Sequence, residues 1–329
     1  MDTIVNTSQN AAKAQNYHFQ FFGKGSEYFS IMIVNWLLTL VTLGIYYPWA
    51  RAKRLKYIFG QTALNDERFN FSGTGSQMFL GFVKVILFYF IVMGIYFLSI
   101  FLSINKPLLI LPGILFIALM FLAIYPLAIH GSFRYRMSRT SYRGIRFGYR
   151  GDRTELIKNC IKWGLLSLVT LSIYSAWMAM NVRRYTHRNI RYGDVEFYND
   201  CNGGDWFWLN LKGYFLTLIT LGIYSFWWQR DIFNYYIDNM SMHKNEQKAQ
   251  CYSTATGGGF FKLLVVNLLI VVFTLGFGTA WAEMRIQRFI WDNIKMEGDI
   301  NLDEVHQTEE EYTNAFGLEA MDFFAIDFA

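Results

Sequence analysis

Six stretches of this chain run for 17 to 23 residues without Asp, Glu, Lys or Arg: Tyr28 to Tyr47, Val85 to Ile104, Pro107 to Ile129, Trp163 to Val182, Gly213 to Gln229 and Leu263 to Ala282. A helix rises about 1.5 Å per residue, so about 20 apolar residues cross a hydrocarbon layer about 30 Å thick. A buried helix of a soluble protein is usually shorter and keeps a polar stripe. The pattern therefore predicts an all-α integral membrane protein of about six transmembrane helices. It divides the chain into a polar N-terminal segment with a short strand (1–27), a multi-pass membrane domain (28–300) and an acidic C-terminal tail (301–329).

Between and within these runs one unit recurs about every fifty residues. Its core reads TLGIYYPW at Thr42 to Trp49, TLSIYSAW at Thr170 to Trp177, TLGIYSFW at Thr220 to Trp227 and TLGFGTAW at Thr274 to Trp281. Eight residues after each Trp stands an aromatic (Tyr57, Tyr185, Tyr235, Phe289), and twelve after it an amide (Gln61, Asn189, Asn239, Asn293). Upstream, FQFFGKGSEYF from Phe19 and FNFSGTGSQMF from Phe69 align without a gap, and weaker copies begin at Phe147, Phe197 and Cys251. Alternating aromatics followed by glycines predict a short strand and a turn. Five degenerate repeats result, the second carrying about 28 extra residues and a degraded core near Ile124 to Leu127.

Composition agrees with a bilayer: 53% of the 329 residues are hydrophobic, 19% aromatic and 17% charged, against roughly 25% charged in an ordinary soluble domain. The polar start lacks the basic and apolar regions of a signal peptide, so the first run is expected to be retained. Cys160, Cys201 and Cys251 have no metal or redox spacing. If every run crosses, the alternate loops 48–78, 130–162 and 229–262 hold 18 Lys and Arg and the other set 11, which favours both termini outside by the positive-inside rule.

The segment from Phe19 to Gly75, with its FxFxGxG strand, TLGIYYPW helix end, basic KRLKY stretch and second RFNFSGTG, resembles the YjgN-like family of bacterial inner-membrane proteins. The resemblance extends through the repeats to about residue 300. It implies a multi-pass protein of the bacterial inner membrane and, the family being of unknown function, supplies no catalytic residues.

The candidate functional residues fall into three sets. The repeat core (Thr42, Gly44, Trp49; Thr170, Trp177; Thr220, Gly222, Trp227; Thr274, Gly276, Trp281) is expected at the membrane edge, where an indole buries its ring and leaves its N–H near water and glycine permits close helix approach. Asn35, Asn267 and Lys84 are candidates for an intramembrane polar path. Arg51, Lys53, Arg54 and Lys56, interleaved with Leu55, Tyr57 and Phe59, fit an amphipathic helix on anionic headgroups. The seven arginines of 134–153 are read as topological charge, with no nucleic acid expected. His18, His130, His187, His243 and His306 lack ligand spacing, no glycine motif has a nucleotide-binding context, and no catalytic, metal or cofactor residue is assigned.

Two functional readings follow: a non-enzymatic transporter-like or channel-like bundle for an unidentified small solute, or a membrane-organising scaffold that holds anionic lipid or a protein partner. If every run crosses, identical cores face opposite sides of the membrane, as inverted repeats do in transporters. If some runs are re-entrant, all cores share one face. The sequence leaves both open.

Overall fold

The computed structural model describes residues 15–104, 108 and 110–308, with side chains 118, 119 and 121–123 left aside. The chain runs through five successive strand–helix–helix–strand segments. The first is β1 (Gln15–Phe21), α1 (Gly25–Val41), α2 (Tyr47–Gln61), β2 (Thr62–Leu64), and the second β3 (Glu67–Phe71), α3 (Gly75–Ser103), α4 (Ile110–Arg139), β4 (Thr140–Tyr142). The third is β5 (Ile145–Tyr149), α5 (Arg153–Val169), α6 (Ser175–Arg188), β6 (Ile190–Tyr192). The fourth is β7 (Val195–Asn199), α7 (Gly203–Ile219), α8 (Ser225–Asp238), β8 (Met240–Lys244), and the fifth β9 (Gln247–Ser253), α9 (Gly257–Phe273), α10 (Thr279–Asp292), β10 (Ile294–Gly298).

The ten strands close into one barrel in which every pairing is antiparallel and β1 joins β2 on one side and β10 on the other. Closure removes the exposed edges that short strands would otherwise present. Because odd strands run toward the helices and even strands away from them, all five helical hairpins leave the same rim. The opposite rim carries two-residue β-turns, at Asn65–Asp66, Arg143–Gly144, Gly193–Asp194 and Asn245–Glu246. Asn65, Asp66, Arg143, Gly144, Gly193 and Asn245 have positive φ there, as tight hairpins require.

Strand alternation sorts the side chains. Tyr17, Tyr142, Tyr192, Val195, Met242, Ala249 and Met296 are buried inside, with Phe19, Phe69, Phe147 and Phe197 packed against them. Phe147 lies 6.3 Å from Phe69 and 6.2 Å from Phe197, centroid to centroid. The outer face is polar: Asn16, His18, Gln20, Arg68 and Asn70 are exposed, and Arg191 meets its cross-strand partner Glu196 at 2.9 Å. Strands of three to seven residues with a charged exterior suit water, since a bilayer-crossing strand needs about 9–11 residues and an apolar exterior.

The chain after β10 closes the turn-side mouth. Ile300, Leu302 and Val305 are buried in the barrel core. Tyr17 OH donates to the Ile300 carbonyl, Lys244 Nζ to the Glu304 carbonyl at 2.6 Å, and Thr308 Oγ1 to the Gly193 carbonyl at 2.6 Å. The first residues of the expected acidic tail are thus barrel core; the rest, from 309, lies outside the described residues.

The all-α six-helix bundle expected from the hydrophobic runs is therefore corrected to a closed barrel bearing helical hairpins. Four of the six runs are not single helices, because α1, α5, α7 and α9 end inside them and α2, α6, α8 and α10 begin inside them. Hydropathy missed the reversals since each turn is as apolar as the helices it joins. Among the described residues, α3 is the one helix long and apolar enough to cross a membrane.

Candidate functional site

Four hairpins reverse through the repeat core, and the turn satisfies its own backbone. At the first, Thr42 N donates to Leu38 O (3.0 Å), Leu43 N to Leu40 O, Gly44 N to Thr39 O (2.7 Å), Ile45 N to Thr42 O and Tyr47 N to Gly44 O. Tyr46 N donates to Thr42 Oγ1 at 3.0 Å, and that hydroxyl donates to Leu38 O at 2.7 Å. One threonine thus ends the first helix and begins the second. Thr170, Thr220 and Thr274 repeat the arrangement with Tyr174 N, Tyr224 N and Gly278 N. Pro48 falls in the first turn of α2, where its missing N–H costs no hydrogen bond. In water such a turn can leave donors to solvent; a turn in hydrocarbon cannot.

The residue after each threonine is a leucine in the left-handed region: Leu43, Leu171, Leu221 and Leu275, with φ of 50, 49, 51 and 49°. That conformation costs an ordinary residue roughly 1–2 kcal/mol, and glycine would adopt it freely. Packing does not repay the strain, because these leucines are 93, 89, 93 and 89% exposed. Val41, Ile45, Val169, Ile173, Ile219, Ile223, Phe273 and Phe277 beside them are exposed too. Four strained, exposed aliphatic tips, one at the end of each of four hairpins, form an uncovered apolar surface.

The tryptophans join neighbouring hairpins. A Cβ on Gly75 would lie 2.7 Å from Trp49 Cα, one on Gly203 2.6 Å from Trp177 Cα, one on Gly257 3.0 Å from Trp227 Cγ and one on Gly25 2.6 Å from Trp281 Cγ. Each glycine opens the first helix of the hairpin after its tryptophan, and Trp281 on Gly25 closes the ring from last hairpin to first. Trp49, Trp177 and Trp281 also lie 5.2, 5.7 and 5.1 Å from the aromatic one turn beyond that glycine, Phe79, Phe207 and Phe29. At the remaining boundary the corresponding positions hold Leu127 and Arg153, so the large ring and the absent side chain are exchanged together.

The other repeated positions fasten hairpins at the base, the tyrosine in the first, third and fourth and the asparagine in the third, fourth and fifth. Tyr57, Tyr185 and Tyr235 hydroxyls accept from the backbone N–H of Lys24, Asp152 and Asn202 (3.0, 3.0 and 2.6 Å) and donate to the same residues' carbonyls. Asn189, Asn239 and Asn293 each donate through Nδ2, at 2.8 Å, to the carbonyl four residues back, ending the helix.

The three candidates for a polar path occupy three different hairpins. Asn267 donates to Ala282 O (3.2 Å) and accepts from Arg285 Nε (2.9 Å), joining α9 to α10. Asn35 is buried between α1 and α2, while Lys84 is exposed on α3. The four basic residues of α2 also separate. Arg54 binds Glu283 of α10 at 2.7 Å, Arg51 is half-buried, and Lys53 and Lys56 line a groove of about 580 Å³ with Asn35. Among the described residues no group of three or more His, Cys, Asp or Glu is placed to hold a metal ion. The three cysteines are buried, and burial pushes the Cys251 thiol up to about 12.

Sequence reasoning missed the five closing strands, β2, β4, β6, β8 and β10, the first three of them three residues each, and the leucine tips. The available signals were the dipeptides Asn65–Asp66, Arg143–Gly144 and Gly193–Asp194 between alternating segments, and a leucine at one register in four copies of a turn.

A family model described as "Bacterial protein of unknown function (DUF898)" matches residues 16–212 and 228–323. Inner membrane protein YjgN of Escherichia coli O157:H7 is 33% identical over 140 residues, covering 43% of this chain and 33% of that protein. Inner membrane protein YjgN of Salmonella typhimurium strain LT2 is 31% identical over 150 residues, covering 46% and 34%. The chain thus matches about a third of the length of these curated relatives. No solved structure matches. Its strand–helix–turn–helix segments lie within a family match over most of its length, and the chain belongs to the YjgN-like family of bacterial proteins of unknown function, DUF898.

Proposed function

We propose that this protein is a non-enzymatic scaffold of the bacterial inner membrane, seated with its barrel in the cytoplasm and its hairpin crown in the bilayer. The four exposed left-handed leucines carry the reading, and the naming of its relatives as inner membrane proteins agrees with it. The depth follows from the first charge on each second helix. Arg51, Arg183, Arg230 and Glu283 stand four, eight, five and four residues beyond Tyr47, Ser175, Ser225 and Thr279, or about 6–12 Å from the tip at 1.5 Å per residue. That is less than half of a hydrocarbon core about 30 Å thick, so these four hairpins enter one leaflet. The α3–α4 hairpin differs, because no charge lies between Lys84 and Lys106 or between Lys106 and Arg134. It crosses fully, and in the sequence the polar Asn105 and Lys106 fall between α3 and α4, where three of the other hairpins have leucine and glycine and one has Leu171 and Ser172.

This arrangement replaces alternating loops with a single basic face. Nearly all Lys and Arg then lie on the barrel side, which the positive-inside rule assigns to the cytoplasm. A solute path along the barrel axis is the weaker reading, since inward aromatics and Ile300, Leu302 and Val305 fill it. Single cysteines at Leu43, Leu171, Leu221, Leu275 and Asp66, in a background lacking Cys160, Cys201 and Cys251, test the placement. A membrane-impermeant maleimide should label Asp66→Cys in inverted vesicles only and the four tips from neither side. Labelling of the tips from the periplasm would refute one-leaflet insertion.

A further inference from the structure

Asn35 and Asn267 occupy the same register, seven residues before the core threonine of their hairpins, and only one of them is internally satisfied. Asn267 Oδ1 accepts from Arg285, four residues after Trp281. The residue four after Trp49 is Lys53, and its Nζ donates instead to Tyr46 OH at 2.8 Å. Asn35 is 93% buried, being 7% exposed, and its Oδ1 has no hydrogen-bond partner among the described residues. A buried amide oxygen without a donor is costly. It lines the groove between α1 and α2, together with Ser30, Val34, Lys53, Lys56 and Gln61. No carboxylate is among the lining residues. Gly60 opens the floor, since a Cβ there would meet nothing within 4 Å.

We infer that this groove binds a phosphoglycerol group, the phosphate between Lys53 and Lys56 and a glycerol hydroxyl donating to Asn35 Oδ1. Two exposed ammonium groups select an anion, and the orphaned acceptor requires that the same ligand also bring a hydrogen-bond donor. An ionised phosphodiester supplies no such donor, so the donor must come from the group esterified to it. Ile31 and Val34, on the same side of α1, give the groove an apolar wall, which suits an anionic phospholipid over a free headgroup. The inference deepens the scaffold reading by naming the lipid class held. Its test in detergent micelles does not depend on insertion, so it can fail while the cysteine labelling succeeds, and the reverse.

Native mass spectrometry of the full chain in detergent, titrated with phosphatidylglycerol, phosphatidylmethanol, phosphatidylcholine or free glycerol phosphate, decides it. Wild type should retain phosphatidylglycerol over phosphatidylmethanol and phosphatidylcholine, and over free glycerol phosphate. Lys53→Gln and Lys56→Gln should each weaken retention about 5-fold, from roughly 1 kcal/mol per basic residue near a lipid surface. Asn35→Leu should keep the preference for anionic over zwitterionic lipid and lose the discrimination between phosphatidylglycerol and phosphatidylmethanol. Gly60→Phe fills the groove without changing charge and replaces a helical glycine, so it should fold and bind neither. Equal retention of free glycerol phosphate and phosphatidylglycerol would support phosphoglycerol recognition and assign it to a soluble ligand. Equal retention of phosphatidylglycerol and phosphatidylcholine by wild type, or an unaltered lipid profile in Gly60→Phe, would overturn the inference.

Discussion

The junction between first and last hairpins offers a double-mutant test of how the ring closes. In Gly25→Ala the new methyl would sit 2.6 Å from Trp281 Cγ, while carbon atoms pack best at about 3.5–4 Å. The indole must therefore retreat by about 1 Å. Overpacking of this kind costs typically 1–3 kcal/mol, offset by under about 1 kcal/mol of helix propensity at the first residue of α1. The net expectation is a loss of about 1–2 kcal/mol, read as a fall in melting temperature in detergent. Trp281→Leu alone should cost about 2 kcal/mol through lost ring burial. In the double variant the methyl occupies space the ring has left, so the two losses should not add, and a favourable coupling of about 1 kcal/mol is expected. The protein already carries this exchange at Leu127 and Arg153. The control is Gly203 with Trp177, where the obstruction includes the Trp177 Cα at 2.6 Å. Trp177→Leu leaves that atom in place, so coupling there should stay below about 0.5 kcal/mol. A neutral Gly25→Ala, or equal coupling in the two cycles, would refute the account of the tryptophans as spacers between hairpins.

Truncation after Asp299 removes the buried Ile300, Leu302 and Val305; at about 1.5–3 kcal/mol per buried aliphatic, reduced for residual burial in the unfolded chain, the melting temperature should fall by roughly 10 °C, and an unchanged value would show that the segment adds nothing to the barrel. Burial, reinforced by the Arg183 charge, lowers His187 from 6.5 to about 4. The unfolded chain then binds more protons between those values, so stability falls as pH drops from 6.5 toward 4, by about 2 kcal/mol between pH 7 and 5; His187→Phe should flatten melting temperature against pH over that window, and an equally steep curve would assign the acid sensitivity elsewhere. Thr220→Val removes the acceptor of Tyr224 N and should destabilise by about 1–3 kcal/mol, whereas Thr220→Ser should be nearly neutral; equal effects would show that the hydroxyl is not what matters.

Much of the local architecture is legible in the sequence. The FxFxGxG segments do form strands that lead into helices, and the spacing from Trp to Tyr to Asn corresponds to contacts at three levels, ring against glycine, hydroxyl against backbone and amide against helix end, all three of them in the third and fourth hairpins. What the sequence concealed is the global count. A run of twenty uncharged residues reads alike whether it is one helix or a helix, a turn and another half-helix, because hydropathy carries no backbone direction. The apolar turn hid the reversal, and three-residue strands such as Ile190–Tyr192 are too short to register as periodicity. Asn35 and Asn267 look equivalent by spacing, yet they differ because Arg285 reaches the amide and Lys53 turns to Tyr46.

The tips are where the proposed membrane seating would most directly override local preference. Glycine at Leu43, Leu171, Leu221 and Leu275 would relieve roughly 1–2 kcal/mol of backbone strain at each, partly cancelled by about 0.5–1 kcal/mol of added freedom in the unfolded chain. Replacing all four with glycine should therefore leave the melting temperature in detergent unchanged or slightly higher. In vesicles the same variant forgoes about 1.5–3 kcal/mol of burial at each tip. An environment-sensitive fluorophore at Ile45→Cys should then shift to the red and lose quenching by lipids labelled deep in the acyl chains. A residue that folding would discard and membrane seating demands must separate these two measurements. If the variant melts lower in detergent and the fluorophore stays deep, the leucines serve the fold, and the one-leaflet crown loses its main support.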